Sequence, residues 1–225
     1  MDNFNSAFLF GSSVFTTIKV ENGFVVDWRI HLRRLLNGLQ SYYFLKSTDN
    51  LAMKLSRIRP PKDFTGALRI TVYVKNPKSM DQSVTENDLD FSVNLRKIKS
   101  FHREPLVLKL SKRLQSIELD ELKIGSYGKE IYLRKKAKAE GADDLLFYGE
   151  GIVFETTIAN IFFRQGDQIY TPKSGIYKGL ARKKLISERG VIEKDIMLYD
   201  LDRYDEIFIA SSLFEKIVIK EILND

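Results

Sequence analysis

The chain has 225 residues, of which 44% are hydrophobic and 29% charged, a balance typical of a globular protein with a substantial core. It has no cysteine, which excludes disulfides, thiolate metal sites and cysteine nucleophiles. No apolar run approaches the roughly 20 residues that cross a bilayer, and the N-terminus lacks the pattern of a signal peptide. We therefore expect a cytoplasmic protein with no membrane partner and no metal.

The net charge is +6, from 36 basic and 30 acidic residues. The densest basic run, Arg134 to Lys138, falls in a stretch with helical character, and a solvated helix face explains it. A nucleic-acid surface would interleave aromatic and basic side chains, and only Tyr132 lies near this run. We expect no nucleic-acid partner; a small anionic substrate fits the positive excess better.

The first part of the chain mixes strands and helices. Two strands joined by a turn at Asn22-Gly23 are predicted for SVFTTIKVENGFVVDW. The spacing then becomes helical in RIHLRRLLNGLQSYYF, and LAMKLSRI predicts a second helix before Pro60. The apolar face of the first helix is predicted to hold Ile30, Leu35, Leu36 and Leu39. Strands are predicted for GALRITVYV and DFSVNLRKI.

A linker is predicted over residues 99–105, between a small α+β domain (1–98) and a larger C-terminal domain (106–225). After the linker we expect a strand in LVLKLS, a helix from Ser126 to Glu140, and strands in DDLLFYG and GIVFETTIANIFFRQGDQIYTP. A helix closed by Gly190 follows, and EIFIASSLFEKIVIKEI ends the chain. The pattern predicts a fold of mixed α/β and α+β character with two lobes.

Glu155 lies at the centre of the most strand-like apolar stretch, GEGIVFETTIANIFF. A carboxylate in such surroundings must reach water, pair with a cation or become neutral. Strict alternation along an edge strand would let it face solvent, so the sequence alone leaves these alternatives open.

Three collinear segments resemble the fold-type IV pyridoxal-phosphate (PLP) enzymes, the class IV aminotransferase family. They are SSVFTTIKVENGFVVDWRIHLRRL, LKIGSYGKEIYLRKKAKAEGADDLLF, and GIVFETTIANIFF with IYTPKSGIYKGLARKKLI. The resemblance covers nearly the whole chain. It implies a two-lobed, D-amino-acid-aminotransferase-like fold with a shortened N-terminal lobe, a PLP-binding domain over residues 106–225, and a homodimer in which a partner's loop completes the active site.

The resemblance also implies roles for matched residues. Lys123 matches the lysine that forms the Schiff base with PLP, and Glu155 matches the glutamate that pairs with the pyridine nitrogen. Arg34, in the pattern His-x-x-Arg-Leu, matches the arginine that binds the phosphate. Tyr127 matches an aromatic position near the cofactor, although a packing role stays equally open. Further phosphate contacts are implied for the amides of Leu180 and Ala181 and the hydroxyl of Ser211.

Three nearby residues are expected to be less important. Arg33 and Arg182 are taken as peripheral to the phosphate contacts, and His31 is expected to pack or cap a helix. In the family that the chain resembles, the lysine carries out the proton transfers.

Thr16 bears on the choice of reaction. Most aminotransferases of the family have glutamate after the phenylalanine that matches Phe15, whereas lyase members often have Phe-Thr-Thr, as here. We therefore expect an aminodeoxychorismate lyase of folate biosynthesis, with Lys123 as the base and Thr16 as a catalytic hydroxyl. Because threonine also favours strands, packing alone stays open. A class IV aminotransferase for branched-chain or D-amino acids is the alternative, and a non-catalytic protein is a minor one.

Overall fold

The computed structural model describes residues 4–79, 81–98, 100–101, 104–113 and 122–224. The described residues form two compact units. The first holds those of Met1–Lys99 together with Leu122–Tyr127, and the second holds those of Ser100–Glu121 and Gly128–Asp225. The predicted linker, residues 99–105, lies partly outside the described residues. Leu122–Tyr127 lies in the first unit, whereas the sequence analysis assigned it to the domain over residues 106–225.

In the described part of the first unit, four strands form an antiparallel sheet in the order β2-β1-β3-β4. These strands are β1 (Val14–Glu21), β2 (Phe24–Val25), β3 (Gly66–Val74) and β4 (Leu89–Lys97). Asn22 and Gly23 have φ angles of 48° and 76°, the left-handed backbone that a tight hairpin needs. The predicted turn is therefore confirmed.

Among the described residues, three α-helices accompany this sheet: α1 (Ser6–Phe10), α2 (Trp28–Tyr43) and α3 (Asp49–Leu55). A single turn of 3₁₀ helix covers Glu86–Asp88. Helix α2 buries His31, Leu35 and Leu39, which recur every fourth residue on one face. The prediction that Ile30 lies on this buried face is wrong, because Ile30 is 52% exposed and His31 takes the inward position.

The second unit contains a nine-stranded sheet among the described residues, in the order β10-β9-β8-β12-β13-β5-β6-β7-β11. Strand β7 lies between β6 and β11 and is therefore an interior strand of the sheet. The strands are β5 (Leu106–Lys112), β6 (Asp144–Gly149), β7 (Ile152–Thr156), β8 (Asn160–Gln165), β9 (Gln168–Pro172), β10 (Ile192–Lys194), β11 (Ile196–Met197), β12 (Glu206–Ser211) and β13 (Phe214–Leu223).

The described part of this unit also contains two α-helices, α4 (Gly128–Ala139) and α5 (Leu180–Arg189), and a 3₁₀ helix over Leu198–Arg203. Helix α5 ends at Gly190 with φ of 62°, which confirms the predicted stop. Arg182 attaches α5 to the sheet: its side chain is 2% exposed, and Nη2 donates to the carbonyl of Pro172 at 2.9 Å and to Glu193 at 2.5 Å. These contacts give Arg182 a structural role.

Among the described residues, every helix is too short or too polar to reach across a bilayer. In the same part of the chain, the His, Asp and Glu side chains form no cluster of three suited to holding a metal ion.

Candidate active site

Lys123 lies in an extended segment that pairs with the start of β1, inside the first unit. Its carbonyl accepts a hydrogen bond from the amide of Phe15 at 2.9 Å, and the amide of Gly125 donates to the carbonyl of Ser13 at 2.8 Å. The Nζ of Lys123 lies 4.9 Å from the centroid of the Phe15 ring. Backbone hydrogen bonds to β1 therefore position the main chain of Lys123, and its amine lies beside the Phe15 ring.

The Phe15 ring also contacts an arginine that the sequence analysis missed. The guanidinium carbon of Arg69, on β3, lies 3.6 Å from the ring centroid, and Nε donates to Oγ1 of Thr71 at 3.2 Å. Tyr127 meets the same ring edge-on at a centroid distance of 5.6 Å. Burial lowers the pKa of Arg69 from its ordinary value. The Phe15 ring thus makes cation–π contacts with both Arg69 and Lys123.

The Thr16 hydroxyl joins β1 to α2. Thr16 is fully buried, and its Oγ1 accepts a hydrogen bond from Nη2 of Arg34 at 2.8 Å and lies 2.8 Å from Nδ1 of His31. The same Arg34 nitrogen lies 3.3 Å from Nδ1. Since a guanidinium only donates, all three contacts are satisfied when Thr16 donates to an unprotonated Nδ1.

His31 is accordingly a neutral imidazole with its proton on Nε2. Burial, followed by the charges of Arg34 and Lys123, lowers the pKa of His31 to about 3. Thr16 and His31 are both neutral, so they orient the guanidinium of Arg34 without cancelling its charge. His31 therefore packs inside the unit, as expected, and in addition holds the threonine hydroxyl.

Glu155 lies on β7, in the second unit, with 12% of its side chain exposed. β11 pairs only with Ile152 and Val153, so it is the low exposure of the side chain that shows Glu155 is not a solvent-facing glutamate of an edge strand. Its Oε2 accepts hydrogen bonds from the amide of Tyr177 at 3.1 Å and Nδ2 of Asn160 at 3.4 Å. Its Oε1 lies 3.5 Å from Nη2 of Arg113, a cation that the sequence analysis missed.

Arg113 and Asn160 also hold the loop that leads into α5. Nη2 of Arg113 donates to the carbonyl of Gly175 at 2.6 Å, and Nδ2 of Asn160 donates to the carbonyl of Tyr177 at 2.7 Å. The amide of Gly179 donates to Oδ1 of Asn160 at 3.1 Å. The side chains of Arg113 and Asn160 therefore contact Glu155 and also fix this loop.

Helix α5 begins with free donors. Its N-cap, Gly179, has no side chain to accept from the amides of the first turn, which include those of Leu180 and Ala181. The positive end of the helix dipole lies at the same place, so an anion is favoured there. Ser211, at the end of β12, accepts from the amide of Leu213 at 3.2 Å and retains its own hydrogen for donation.

Residues 13–222 match the family model described as amino-transferase class IV. The match covers most of the chain, and the protein belongs to the class IV aminotransferase family. It is a PLP-dependent enzyme of that family.

One relative and two solved structures illustrate the range of the family. The aminodeoxychorismate lyase of Bacillus subtilis (strain 168) is 27% identical over 97% of this chain and 80% of its own. The branched-chain aminotransferase of Thermoproteus uzoniensis, solved with norvaline, is 24% identical over 97% of this chain and 80% of that one, with a TM-score of 0.82. A hypothetical aminotransferase from Mycobacterium tuberculosis, solved in a PLP-bound form, is 16% identical over 99% of this chain and 85% of that one, with a TM-score of 0.80. The predicted fold class is confirmed.

The residues described above fit PLP by their chemistry. An aldehyde needs an amine, which Lys123 provides, and a pyridinium N–H needs a carboxylate, which Glu155 provides. A phosphate needs guanidinium and amide donors, and Arg34 and the start of α5 are of that kind. Each position is buried or half-buried rather than freely solvated.

Proposed function

We propose that the protein is a lyase that converts 4-amino-4-deoxychorismate into 4-aminobenzoate and pyruvate. The observation that carries this proposal is the residue after Phe15. Where most aminotransferases that the chain resembles have a glutamate, this chain has Thr16, buried and bonded to Arg34. The substitution removes a negative charge from the surroundings of Arg34 and Lys123, which favours a substrate that carries two carboxylates.

Arg69 supports the same substrate class. Among the described ion pairs, none involves Arg69, and its guanidinium lies on the same ring as the Lys123 amine. A guanidinium stays charged and meets a carboxylate through two parallel hydrogen bonds, so a carboxylate is the natural counter-ion for Arg69. We assign Arg69 the binding of a substrate carboxylate. The similarity to the Bacillus subtilis lyase points in the same direction.

The chain's residues would hold PLP at three points. Lys123 binds it covalently, Glu155 accepts the pyridinium N–H, and Arg34 binds the phosphate; the amides of Leu180 and Ala181 and the hydroxyl of Ser211 add further phosphate donors. Tyr127 packs beside the lysine through its contact with Phe15. When bound, PLP supplies an electron-accepting ring for the bond cleavage that the lyase reaction needs.

Proton transfer is assigned to Lys123. Once the substrate amine has displaced it from the cofactor, its Nζ would take the proton from the ring carbon that bears that amine. The bond between the ring and the enolpyruvyl oxygen breaks, and a proton is added to the methylene carbon of the departing group, so substrate atoms equal product atoms. Thr16 is fully buried, and its one hydrogen is directed at His31. We therefore assign Thr16 to positioning Arg34, in place of the direct proton delivery that the sequence suggested.

The alternative function is a class IV aminotransferase for branched-chain or D-amino acids. Paired assays separate the two: 4-aminobenzoate formation from 4-amino-4-deoxychorismate, and keto-acid formation from leucine, valine, D-alanine and glutamate. We expect the first to be faster by kcat/KM. Keto-acid formation faster by about tenfold, a difference of about 1.4 kcal/mol in the barrier, would establish the aminotransferase instead.

Covalent attachment of the cofactor is tested separately from the reaction. Borohydride treatment of the PLP-loaded protein should leave a reduced adduct on Lys123, located by peptide mass spectrometry. Lys123→Arg should give no adduct, whereas Lys129→Arg, in the first turn of α4, should behave like the wild type. An adduct on another lysine would overturn the assignment while leaving the substrate open.

We further propose that the enzyme is a homodimer in the cytoplasm. The exposed aromatic residues Phe4, Phe8 and Phe10 around α1 supply an apolar surface of the kind that a second copy covers. Light scattering should give twice the 26.0 kDa of one chain at micromolar concentration.

A further inference from the structure

Asn160 lies at a junction inside the second unit that neither the motif nor the proposed reaction explains. It is 6% exposed, and its one side chain makes three hydrogen bonds. Nδ2 donates to Oε2 of Glu155 at 3.4 Å and to the carbonyl of Tyr177 at 2.7 Å, and Oδ1 accepts from the amide of Gly179 at 3.1 Å. A side-chain amide has two hydrogens and one oxygen, so all of its polar atoms are engaged.

The three partners of Asn160 serve two proposed cofactor contacts, one at the pyridine nitrogen and one at the phosphate. Glu155 is the carboxylate assigned to the pyridine nitrogen, and Gly179 is the N-cap of the helix whose first amides are assigned to the phosphate. Tyr177 contributes to both, since its amide donates to Glu155 and its carbonyl accepts from Asn160. The carboxylate and the helix start are therefore ends of one hydrogen-bonded network.

The network is tightly packed at the helix end. A Cβ added to Gly179 would lie 2.5 Å from Oδ1 of Asn160, closer than any ordinary contact. The backbone of Gly179, with φ of −60° and ψ of 156°, is otherwise open to any residue. A methyl group at this position would therefore act by displacing the Asn160 amide rather than by straining the backbone.

We propose that Asn160 is a positioning residue that couples the ring-nitrogen carboxylate to the phosphate-binding turn. Through it, a change at the phosphate end alters how the Glu155 carboxylate is held, and loss of the carboxylate loosens the helix start. The inference rests on the cofactor contacts proposed above, but not on the lyase reaction, because both ends concern the cofactor alone.

Gly179→Ala tests the coupling from the phosphate end. Two quantities are measured: the ratio of dissociation constants for pyridoxal and PLP, which isolates phosphate recognition, and the pH at which the visible band of the bound cofactor titrates. We expect the ratio to fall by about tenfold, the equivalent of a lost hydrogen bond, and the titration to shift as well. Gly128→Ala is the matched control, since Gly128 also begins a helix and a Cβ there meets nothing within 4 Å.

Asn160→Asp tests the coupling at the residue that links Glu155 to the start of α5. The aspartate retains the acceptor for Gly179 but loses both donors and places a second carboxylate beside Glu155. We expect weaker PLP binding, and partial recovery when Glu155→Gln is added, because the glutamine amide can donate to the new carboxylate. Asn94→Asp, on the exposed part of β4, should change neither quantity.

The outcomes are distinct. A wild-type protein that binds pyridoxal as tightly as PLP would overturn the assigned phosphate contacts. The coupling would be overturned if Gly179→Ala lowered the ratio of the pyridoxal and PLP dissociation constants but left the titration of the visible band unshifted. It would also be overturned if the effects of Asn160→Asp and Glu155→Gln on PLP binding were additive, because the two residues would then act independently.

Discussion

Nη2 of Arg113 lies 3.5 Å from Oε1 of Glu155 and 2.6 Å from the carbonyl of Gly175. The guanidinium is thereby held beside the carboxylate by a neutral acceptor on the next loop. It also lies 4.7 Å from the centroid of the Phe147 ring, which restricts it further. A fixed cation beside one oxygen and two N–H donors on the other hold the Glu155 carboxylate in one orientation.

Glu155→Gln should therefore slow turnover while preserving cofactor binding. The amide has the shape of the carboxylate but cannot keep a pyridine nitrogen protonated. We expect kcat to fall by the equivalent of about 2–4 kcal/mol, the usual value of one charge contact in a dry site. Steady-state kinetics with saturating PLP measure this, with Glu215→Gln on the exposed side of β13 as the control. An unchanged kcat would contradict the assigned contact.

Thr16→Val should weaken PLP binding because Arg34 loses its anchor. The valine has nearly the same volume, so the packing of β1 is preserved, but the half-buried guanidinium of Arg34 and the Nδ1 of His31 lose a partner. We expect a cost of about 1–3 kcal/mol in PLP affinity or in stability. Thr16→Ser should restore most of it. Thr17→Val, on the adjacent half-buried position, is the matched control, and equal effects of the two valines would refute the special role of Thr16.

His31→Asn should change the pH dependence of stability. The pKa of His31 is about 3 in the folded protein, against an ordinary value of 6.5 for the unfolded chain, so between these values the unfolded chain binds a proton that the folded protein does not. Stability must then fall as the pH is lowered from 6.5 towards 3. The asparagine can still accept from Thr16 through Oδ1 but does not titrate. Urea midpoints between about pH 4 and 7 should show a shallower slope for the variant; parallel curves would contradict the pKa shift.

Arg69→Met should raise KM for 4-amino-4-deoxychorismate and leave PLP affinity unchanged. The methionine retains apolar contact with Phe15 but removes the charge. A charge-assisted hydrogen bond is worth about 1.5–3 kcal/mol, so we expect roughly a 10- to 150-fold loss in kcat/KM. Arg96→Met, at an exposed position on β4, is the control. A loss of PLP affinity with KM unaltered would place Arg69 at the cofactor instead.

The sequence predicted most elements because their signals are local. Asn22-Gly23 specifies a hairpin wherever it occurs between strands, and Gly190 ends a helix by the same backbone rule. Helix α1 was missed because five residues are too few to show a helical period. Ile30 was assigned inward because the pattern treats every histidine as polar, whereas His31 is buried through a hydrogen bond to another element.

The candidate site was only partly predictable for a different reason. Lys123, Glu155 and Arg34 lie in motifs that the family resemblance identifies. Arg69 and Arg113 do not, because a single arginine within a strand, or just after one, has no local signature. Its role depends on partners distant in the chain, such as Glu155 for Arg113.

The pairing of Lys123 with β1 affects how the chain is made as well as how it works. Val14 and Ile124 form an antiparallel bridge, although most of the first unit's sequence ends by Lys99. During synthesis, the start of β1 therefore cannot pair with Ile124 until residues 100–121, which belong to the second unit, have been made. No single cut in the gene yields the first unit with its lysine and without part of the second. A rearrangement that broke the chain after Lys99 would separate Lys123 from the strand with which it pairs.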